Sequence, residues 1–170
     1  MKELKQVVEQ REKELRAAQV ALAVARARLA RAEGKLKVAA AQWRKVLRHY
    51  QGRLKVVRDM VAQGRVCSDE PLRQGEGSVA VARAWLAEAE GRRDDLRAEL
   101  PKVIAYHQWR IRRYQSLLRN KAISETEAQA ALREARAELR EARERLAGLR
   151  GGRARKDKTG KGDKPKGGRT

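Results

Sequence analysis

Bulky and rigid residues are scarce in this chain of 170 residues. Phe is absent and aromatic residues make up only 4% of the chain, so a compact globule with a large aromatic core is not expected. Only three prolines occur, Pro71, Pro101 and Pro165, and long stretches therefore carry no helix breaker. Ala, Arg, Glu, Leu and Lys dominate instead, which is typical of long helices and coiled coils. We therefore predict an elongated, all-α protein.

Residues that carry chemistry are scarce as well. The single cysteine, Cys67, allows no internal disulfide and no thiolate cluster. His49 and His107 are predicted to lie on different helices and not to meet, which argues against a metal site. No nucleophile elbow or phosphate-binding glycine loop occurs. We expect a protein that is not an enzyme, with no cofactor and no small-molecule substrate.

Long apolar runs are missing too. No stretch approaches the roughly 20 apolar residues that a helix needs to cross a bilayer. The first residues, MKELKQVVEQREKEL, lack the apolar core of a secretory signal. If Met1 is the true start, the expected location is the cytoplasm.

Positive charge, by contrast, is abundant. The 42 Lys and Arg residues against 22 Asp and Glu give a formal net charge of +20. Residues 26–58 hold 11 basic residues and one acidic residue, Glu33. Residues 151–170 hold eight basic and two acidic residues with no apolar residue larger than Ala, which predicts a disordered basic tail. This excess favours an anionic partner, such as nucleic acid or another anionic surface.

A seven-residue repeat of apolar positions runs through the first third of the chain. Alternating steps of three and four residues predict a helix that buries one narrow seam against another helix. We therefore predict a single helix over residues 2–63. The large residues of the predicted seam are Val8, Leu15, Leu22, Leu29, Leu36, Trp43, Tyr50 and Val57.

The same spacing continues less regularly through a second predicted helix, residues 69–120, where Pro101 is expected to kink the helix without ending it. A third predicted helix, residues 124–150, repeats Leu132, Leu139 and Leu146 every seven residues. The prediction is thus an antiparallel coiled-coil hairpin of two long helices plus a shorter third helix, residues 1–150. The basic tail, residues 151–170, follows it.

Two corners with similar chemistry separate these predicted helices. The first, GRVCSDE, contains Gly64, Cys67 and Ser68, and the second, NKAISET, contains Asn120 and Ser124. In each corner a residue that tolerates left-handed backbone ends one helix, and a serine four residues later is suited to cap the next helix. We place the two corners at opposite ends of the hairpin. Cys67 is expected to be an exposed, incidental thiol.

The stretch RYQSLLRNKAISETEAQAALREARAELREARERL resembles the α-helical hairpin of periplasmic adaptor proteins, also called membrane fusion proteins, of efflux systems. The tip of that hairpin carries Arg, then Leu four residues on, then Ser seven further, a spacing that Arg113, Leu117 and Ser124 share. The resemblance implies that Arg113 and Ser124 make polar contacts with a helical partner while Leu117 packs against it. By the same resemblance the partner is an outer-membrane channel or pump component, and the location is the bacterial envelope or periplasm.

The chain also departs from the adaptor pattern, because no part of it reads as the β-rich domains that flank an adaptor hairpin. The expected function is therefore a non-catalytic coiled-coil module that contacts a helical protein through its tip. Two alternatives stay open. The first is self-association, and the second is a basic coiled-coil protein that binds nucleic acid or another anionic surface.

Overall fold

The chain folds into five helices with short connections. The structure, a computed structural model, describes the backbone of residues 2–156 and the side chains of residues 4–150. The predicted all-α class is confirmed, since no strand occurs within residues 2–156. The helices are α1 (Lys2–Ala32), α2 (Leu36–Ala62), α3 (Glu70–Ala89), α4 (Arg93–Arg119) and α5 (Glu125–Lys156).

Two of the predicted helices are each divided into two by a corner, because the heptad spacing continues across the corner and does not indicate it. The prediction of one helix over residues 2–63 is wrong, because the chain turns at Gly34 with φ +73°. The prediction of one helix over residues 69–120 is wrong for the same reason at Gly91, with φ +71°. Glycine enters the left-handed region without the steric cost that other residues meet there, so each glycine ends a helix cleanly.

All four corners of the chain use the same backbone hydrogen bonds. At each one, the N–H of the residue after the left-handed residue donates to a carbonyl five residues earlier, as in the Schellman motif. Lys35 donates to Ala30 at 2.7 Å, and Arg92 donates to Ala87 at 2.8 Å. The equivalent bonds follow Gly64 and Lys121, from Arg65 to Met60 and from Ala122 to Leu117, both at 2.9 Å. The carbonyls at these helix ends are therefore satisfied locally.

Each helix packs on the next one in the chain, from α1 to α5. Connections this short make consecutive helices antiparallel neighbours, so the corners alternate between the two ends of the bundle. The corners near Gly64 and Lys121 consequently lie at the same end, and those at Gly34 and Gly91 at the other. This corrects the expectation that the two predicted corners lie at opposite ends.

The core lies on both sides of α3. One cluster of buried residues joins α1, α2 and α3, and includes Trp43 and Trp85. A second cluster joins α3, α4 and α5, and includes Leu100 and Val103. Many of the buried residues of α3 are alanines, and their small side chains let other helices approach α3 closely from either side. The buried alanines of α3 are Ala80, Ala82, Ala84 and Ala87.

Gly77 allows one such close approach. An added Cβ at this buried position would lie 1.9 Å from Cδ2 of Tyr106, so the tyrosine ring occupies the space that a side chain would need. The hydroxyl of Tyr106, on α4, lies 3.5 Å from the hydroxyl of Ser78, which is on α3 next to Gly77. A glycine that weakens α3 locally therefore permits α4 to pack against it.

The structure buries the predicted apolar seam of α5 and leaves that of α1 exposed. In α5 most of the predicted seam is buried, and only Leu146 is half-buried. The buried seam residues are Ala128, Leu132, Ala135, Leu139 and Ala142. In α1, the predicted seam is wrong, because Val8, Leu15 and Leu22 are exposed. The helix instead turns Ala27 and Ala30 toward the bundle.

The remaining boundaries follow the prediction in part. α4 runs through Pro101 without ending, as expected. α5 continues to Lys156, beyond the predicted end at residue 150. Most of the predicted disordered tail, residues 157–170, lies outside the described residues.

Candidate interaction surfaces

The structure brings the predicted tip residues of both corners to one end of the bundle. The guanidinium group of Arg113 forms an ion pair with Glu70, at the start of α3, and lies 5.6 Å above the ring centroid of Trp109. Ser68 and Leu117 border the same shallow depression, and Leu117 is half-buried. Arg113 therefore ties α4 to α3, a role in folding that its spacing to Leu117 did not predict.

Ser124 is engaged in a capping box at the start of α5. Its hydroxyl accepts a hydrogen bond from the backbone N–H of Glu127 at 3.2 Å, and the Glu127 carboxylate accepts one from the Ser124 N–H at 3.0 Å. The Ser124 hydroxyl also donates to the Glu127 carboxylate at 2.7 Å. This bond is the largest cause that holds the pKa of the Glu127 carboxyl below its usual value, followed by the bond from the Ser124 N–H. The predicted cap is confirmed, and it occupies the polar atoms of Ser124.

The left-handed residue of the second corner is Lys121, with φ +55°, while Asn120 stays at φ −85°. The expectation that Asn120 plays this part is wrong by one position. Gly64, with φ +65°, fills the corresponding place in the first corner, as predicted. The expectation that Ser68 is the cap of α3 is wrong by one position, since Asp69 is the N-cap residue, although Ser68 accepts a hydrogen bond from the Glu70 N–H at 3.2 Å. Cys67 is exposed.

The predicted tip residues thus all have intramolecular roles. Arg113 pairs with Glu70, the carbonyl of Leu117 accepts the hydrogen bond that closes the corner, and Ser124 caps α5. Their spacing is explained by folding, whether or not a partner binds there. Contact with a helical partner through this end stays a prediction.

Acidic side chains of α3 and α5 are paired with arginines of neighbouring helices. The Glu88 carboxylate of α3 forms ion pairs with Arg31 and Arg145, with nitrogen–oxygen distances of 2.8 Å and 3.0 Å. The Glu138 carboxylate of α5 forms an ion pair with Arg110, with a nitrogen–oxygen distance of 2.9 Å, and a second ion pair with Arg28. These carboxylates are therefore already paired with arginines inside the bundle, and they do not neutralise the basic side chains on other surfaces.

That charge is concentrated on α2. Within Leu36–Ala62 the only acidic residue is Asp59, and two basic side chains form ion pairs with described carboxylates, Arg44 with Glu90 and Arg58 with Glu76. Five further basic side chains of α2 are exposed and form no ion pair with any described side chain. Arg53 lies on a different side of the helix, and the other four share one side, namely Lys37, Lys45, Arg48 and Lys55. We call these four residues the α2 basic face.

The α2 basic face is a continuous strip. At 100° per residue its four members lie within about one quarter of the helix circumference, and their Cα atoms span roughly 27 Å along the axis. The sequence showed the basic excess of residues 26–58 but not this shared side, which the intervals of eight, three and seven residues could have revealed. The aromatic residues of α2 are turned away, since Trp43 is buried and Tyr50 is half-buried.

Neither metal binding nor membrane crossing is indicated by the described part of the chain. No group of three or more His, Cys, Asp or Glu side chains there is arranged to hold a metal ion. Among the described residues, no helix combines the length and the apolar character that a bilayer-crossing segment needs.

Comparison with known proteins yields no family model, no curated protein and no solved structure that matches this chain. The resemblance to adaptor hairpins therefore stays a prediction from residues 113–146.

Proposed function

We propose that this protein is a non-catalytic binding module whose α2 basic face holds an anionic polymer, with a nucleic-acid duplex as the expected partner. The observation that carries the proposal is the row of exposed and unpaired cations from Lys37 to Lys55. Clustered positive charge without counter-charge repels itself, and a phosphate backbone relieves that repulsion while it releases condensed counterions.

A duplex fits this face better than a single strand does. Proteins that hold single strands combine positive charge with exposed aromatic rings on which bases stack. On α2 the one tryptophan, Trp43, is buried, so the face offers phosphate contacts alone. Such contacts fix position without reading bases, and the binding should therefore be independent of sequence.

The test uses two charge-matched double variants. Lys45→Glu with Arg48→Glu reverses the centre of the α2 basic face. Arg133→Glu with Arg136→Glu makes the same change in net charge on α5, where both arginines are exposed and outside the ion pairs of the described residues. Fluorescence anisotropy with a labelled duplex measures the dissociation constant of each at fixed salt.

The α2 variant should bind roughly tenfold more weakly or worse, and the α5 variant should stay close to the parent chain. Equal losses in the two variants would mean that net charge alone binds the duplex, and the α2 assignment would be abandoned. Binding to vesicles of anionic phospholipid without binding to the duplex would move the partner from nucleic acid to a membrane surface.

A further inference from the structure

α1 carries a second apolar stripe that the bundle leaves uncovered. Its large members recur in heptad positions, and each is about half exposed or more. Leu15 is 58% exposed, Leu22 49% and Leu29 59%. The full set of large residues is Leu4, Val8, Leu15, Leu22 and Leu29, and the smaller positions between them are Ala18, Ala25 and Ala32. We call these residues the α1 stripe.

The opposite side of α1 is covered by the bundle from Val20 onward, whereas residues 4–19 are exposed on all sides. Ala27 and Ala30 are buried against the bundle, and Val20, Ala23 and Val24 are partly covered by the same core. At 3.6 residues per turn, that set points almost directly away from the α1 stripe. Packing within the chain therefore cannot explain why the stripe keeps its leucines at seven-residue intervals. Apolar surface of this extent, in this spacing, is what one strand of a coiled coil presents.

We propose that the α1 stripe pairs with the α1 stripe of a second copy of this chain, in an antiparallel coiled coil. The register follows from the residues. When facing positions have residue numbers that add to 40, Leu15 lies opposite Ala25 of the second copy and Leu22 lies opposite Ala18. Val8 lies opposite Ala32 in the same way, so three large residues face alanine and let the two helices approach closely around the middle of α1. Leu29 lies opposite Arg11, and Leu4 lies opposite residue 36, beyond the end of α1. The two-fold axis passes near residue 20, and each contact occurs twice.

The charges beside the stripe fit the same register. In an antiparallel pair, the flanking positions of one helix face the equivalent positions of the other. Glu12 then faces Arg26 of the second copy, and Glu14 faces Arg28. Arg26 is exposed and pairs with no described side chain. Arg28 is half exposed beside Glu138 and keeps room for a second carboxylate.

Other arrangements fit less well. A parallel pair in register sets Arg11 against Arg11 in the middle of the apolar layer, and Arg26 faces only alanine. Shifting the antiparallel pair by one heptad places Glu12 opposite Glu33 in one direction and Arg26 opposite Lys5 in the other, so like charges lie opposite each other. Of these arrangements, the antiparallel register centred near residue 20 is the one that places both Glu12 and Glu14 opposite arginine.

The first test measures association by sedimentation equilibrium over a concentration series. The parent chain should dimerise, and Leu22→Glu should weaken the dimer at least about 100-fold because the charge is buried twice near the axis. Val56→Glu is the matched control, since Val56 is exposed to a similar degree on α2, outside the stripe, and should leave the dimer unchanged. A parent chain that stays monomeric throughout, or a Leu22→Glu chain that dimerises as well as the parent, overturns the proposal.

The second test fixes the direction of pairing by a charge swap. Glu12→Arg alone and Arg26→Glu alone should each weaken the dimer roughly tenfold, because each sets like charges together twice. The chain with both changes should regain parental affinity, since each new arginine faces a new glutamate. Glu9→Arg, on the bundle side of α1, makes the same charge change and should have little effect. Single variants that weaken the dimer without rescue in the double variant would overturn the antiparallel register.

Discussion

His107 should make this protein acid-sensitive well above the range in which carboxylates titrate. Its side chain is almost fully buried between α4 and α5. Burial is the main reason that its pKa falls from 6.5 to about 4, and the positive charges of Arg110 and Arg28 lower it further. Glu138 lies 3.4 Å from Nδ1, yet it forms no hydrogen bond with that atom and is already matched by the two arginines. The histidine is therefore neutral in the folded protein.

The sign and size of the effect follow from proton linkage. Below pH 6.5 the unfolded chain binds a proton at His107 and the folded chain does not, so acid favours unfolding. The stability that neutral His107 provides is fully present above pH 6.5 and is lost as the pH falls toward 4. With those two pKa values, the loss between pH 7 and pH 5 is about 2 kcal/mol.

Urea unfolding followed by circular dichroism at several pH values measures this directly. His107→Leu removes the titrating group and keeps a side chain that suits the apolar surroundings. The free energy of unfolding of the variant minus that of the parent should rise by about 2 kcal/mol from pH 7 to pH 5, whatever its value at pH 7. His49→Leu, at a half-buried position, should give a smaller rise. A difference for His107→Leu that does not change with pH would refute the reasoning.

Two further variants test the packing and the corners, both by urea unfolding. Gly77→Ala should destabilise by about 1–3 kcal/mol because the new Cβ meets the ring of Tyr106, whereas Gly52→Ala, with open space around it, should stabilise by about 0.5–1 kcal/mol. Equal effects at the two glycines would contradict the close packing of α3 on α4. Ser124→Ala should cost about 1 kcal/mol through loss of the capping box, and Ser124→Asp should retain most of the stability. An unchanged Ser124→Ala protein would show that the cap is not needed.

Sequence patterns predicted those features of the fold that depend on local chemistry. Gly64 ends α2 and Ser124 caps α5, as the local chemistry of the two corners predicts. The other two predicted residues are each one position off, because Lys121 takes the left-handed conformation next to Asn120 and Asp69 is the N-cap next to Ser68. The seam of α5 is simple, with one apolar side, and it is buried as predicted. The corners at Gly34 and Gly91 escaped notice because the heptad count runs through them unbroken. A left-handed glycine ends a helix whether or not the apolar spacing continues beyond it.

The error in α1 has a different origin. The helix has two apolar sides, one of leucines and one of small residues, and periodicity alone favoured the leucines. In the folded chain the alanine side packs on the bundle, because Trp43 and Trp85 fill the space beside it and leave room for small side chains only. Which of two apolar sides faces the core depends on the shape of partners far along the chain, and a local pattern carries no such information.

The candidate sites show the same limit. Arg113 was singled out by its spacing to Leu117 and Ser124, yet its partner is Glu70, which lies 43 residues earlier. The basic excess around α2 was visible in the sequence, and the intervals between its cations indicate a shared side, but only the structure shows which cations are already paired with carboxylates. Charge counts predict a class of partner, and geometry is needed to locate the surface.

The salt dependence of duplex binding tests the proposed function most directly. Each phosphate contact contributes about −0.9 to the slope of log affinity against log salt concentration, so four contacts predict a slope near −3.6 for the parent chain. In the Lys45→Glu, Arg48→Glu variant the slope should become shallower by about 2, while the Arg133→Glu, Arg136→Glu variant should keep the parental slope. The same slope in all three proteins would contradict the assignment of duplex binding to the α2 basic face.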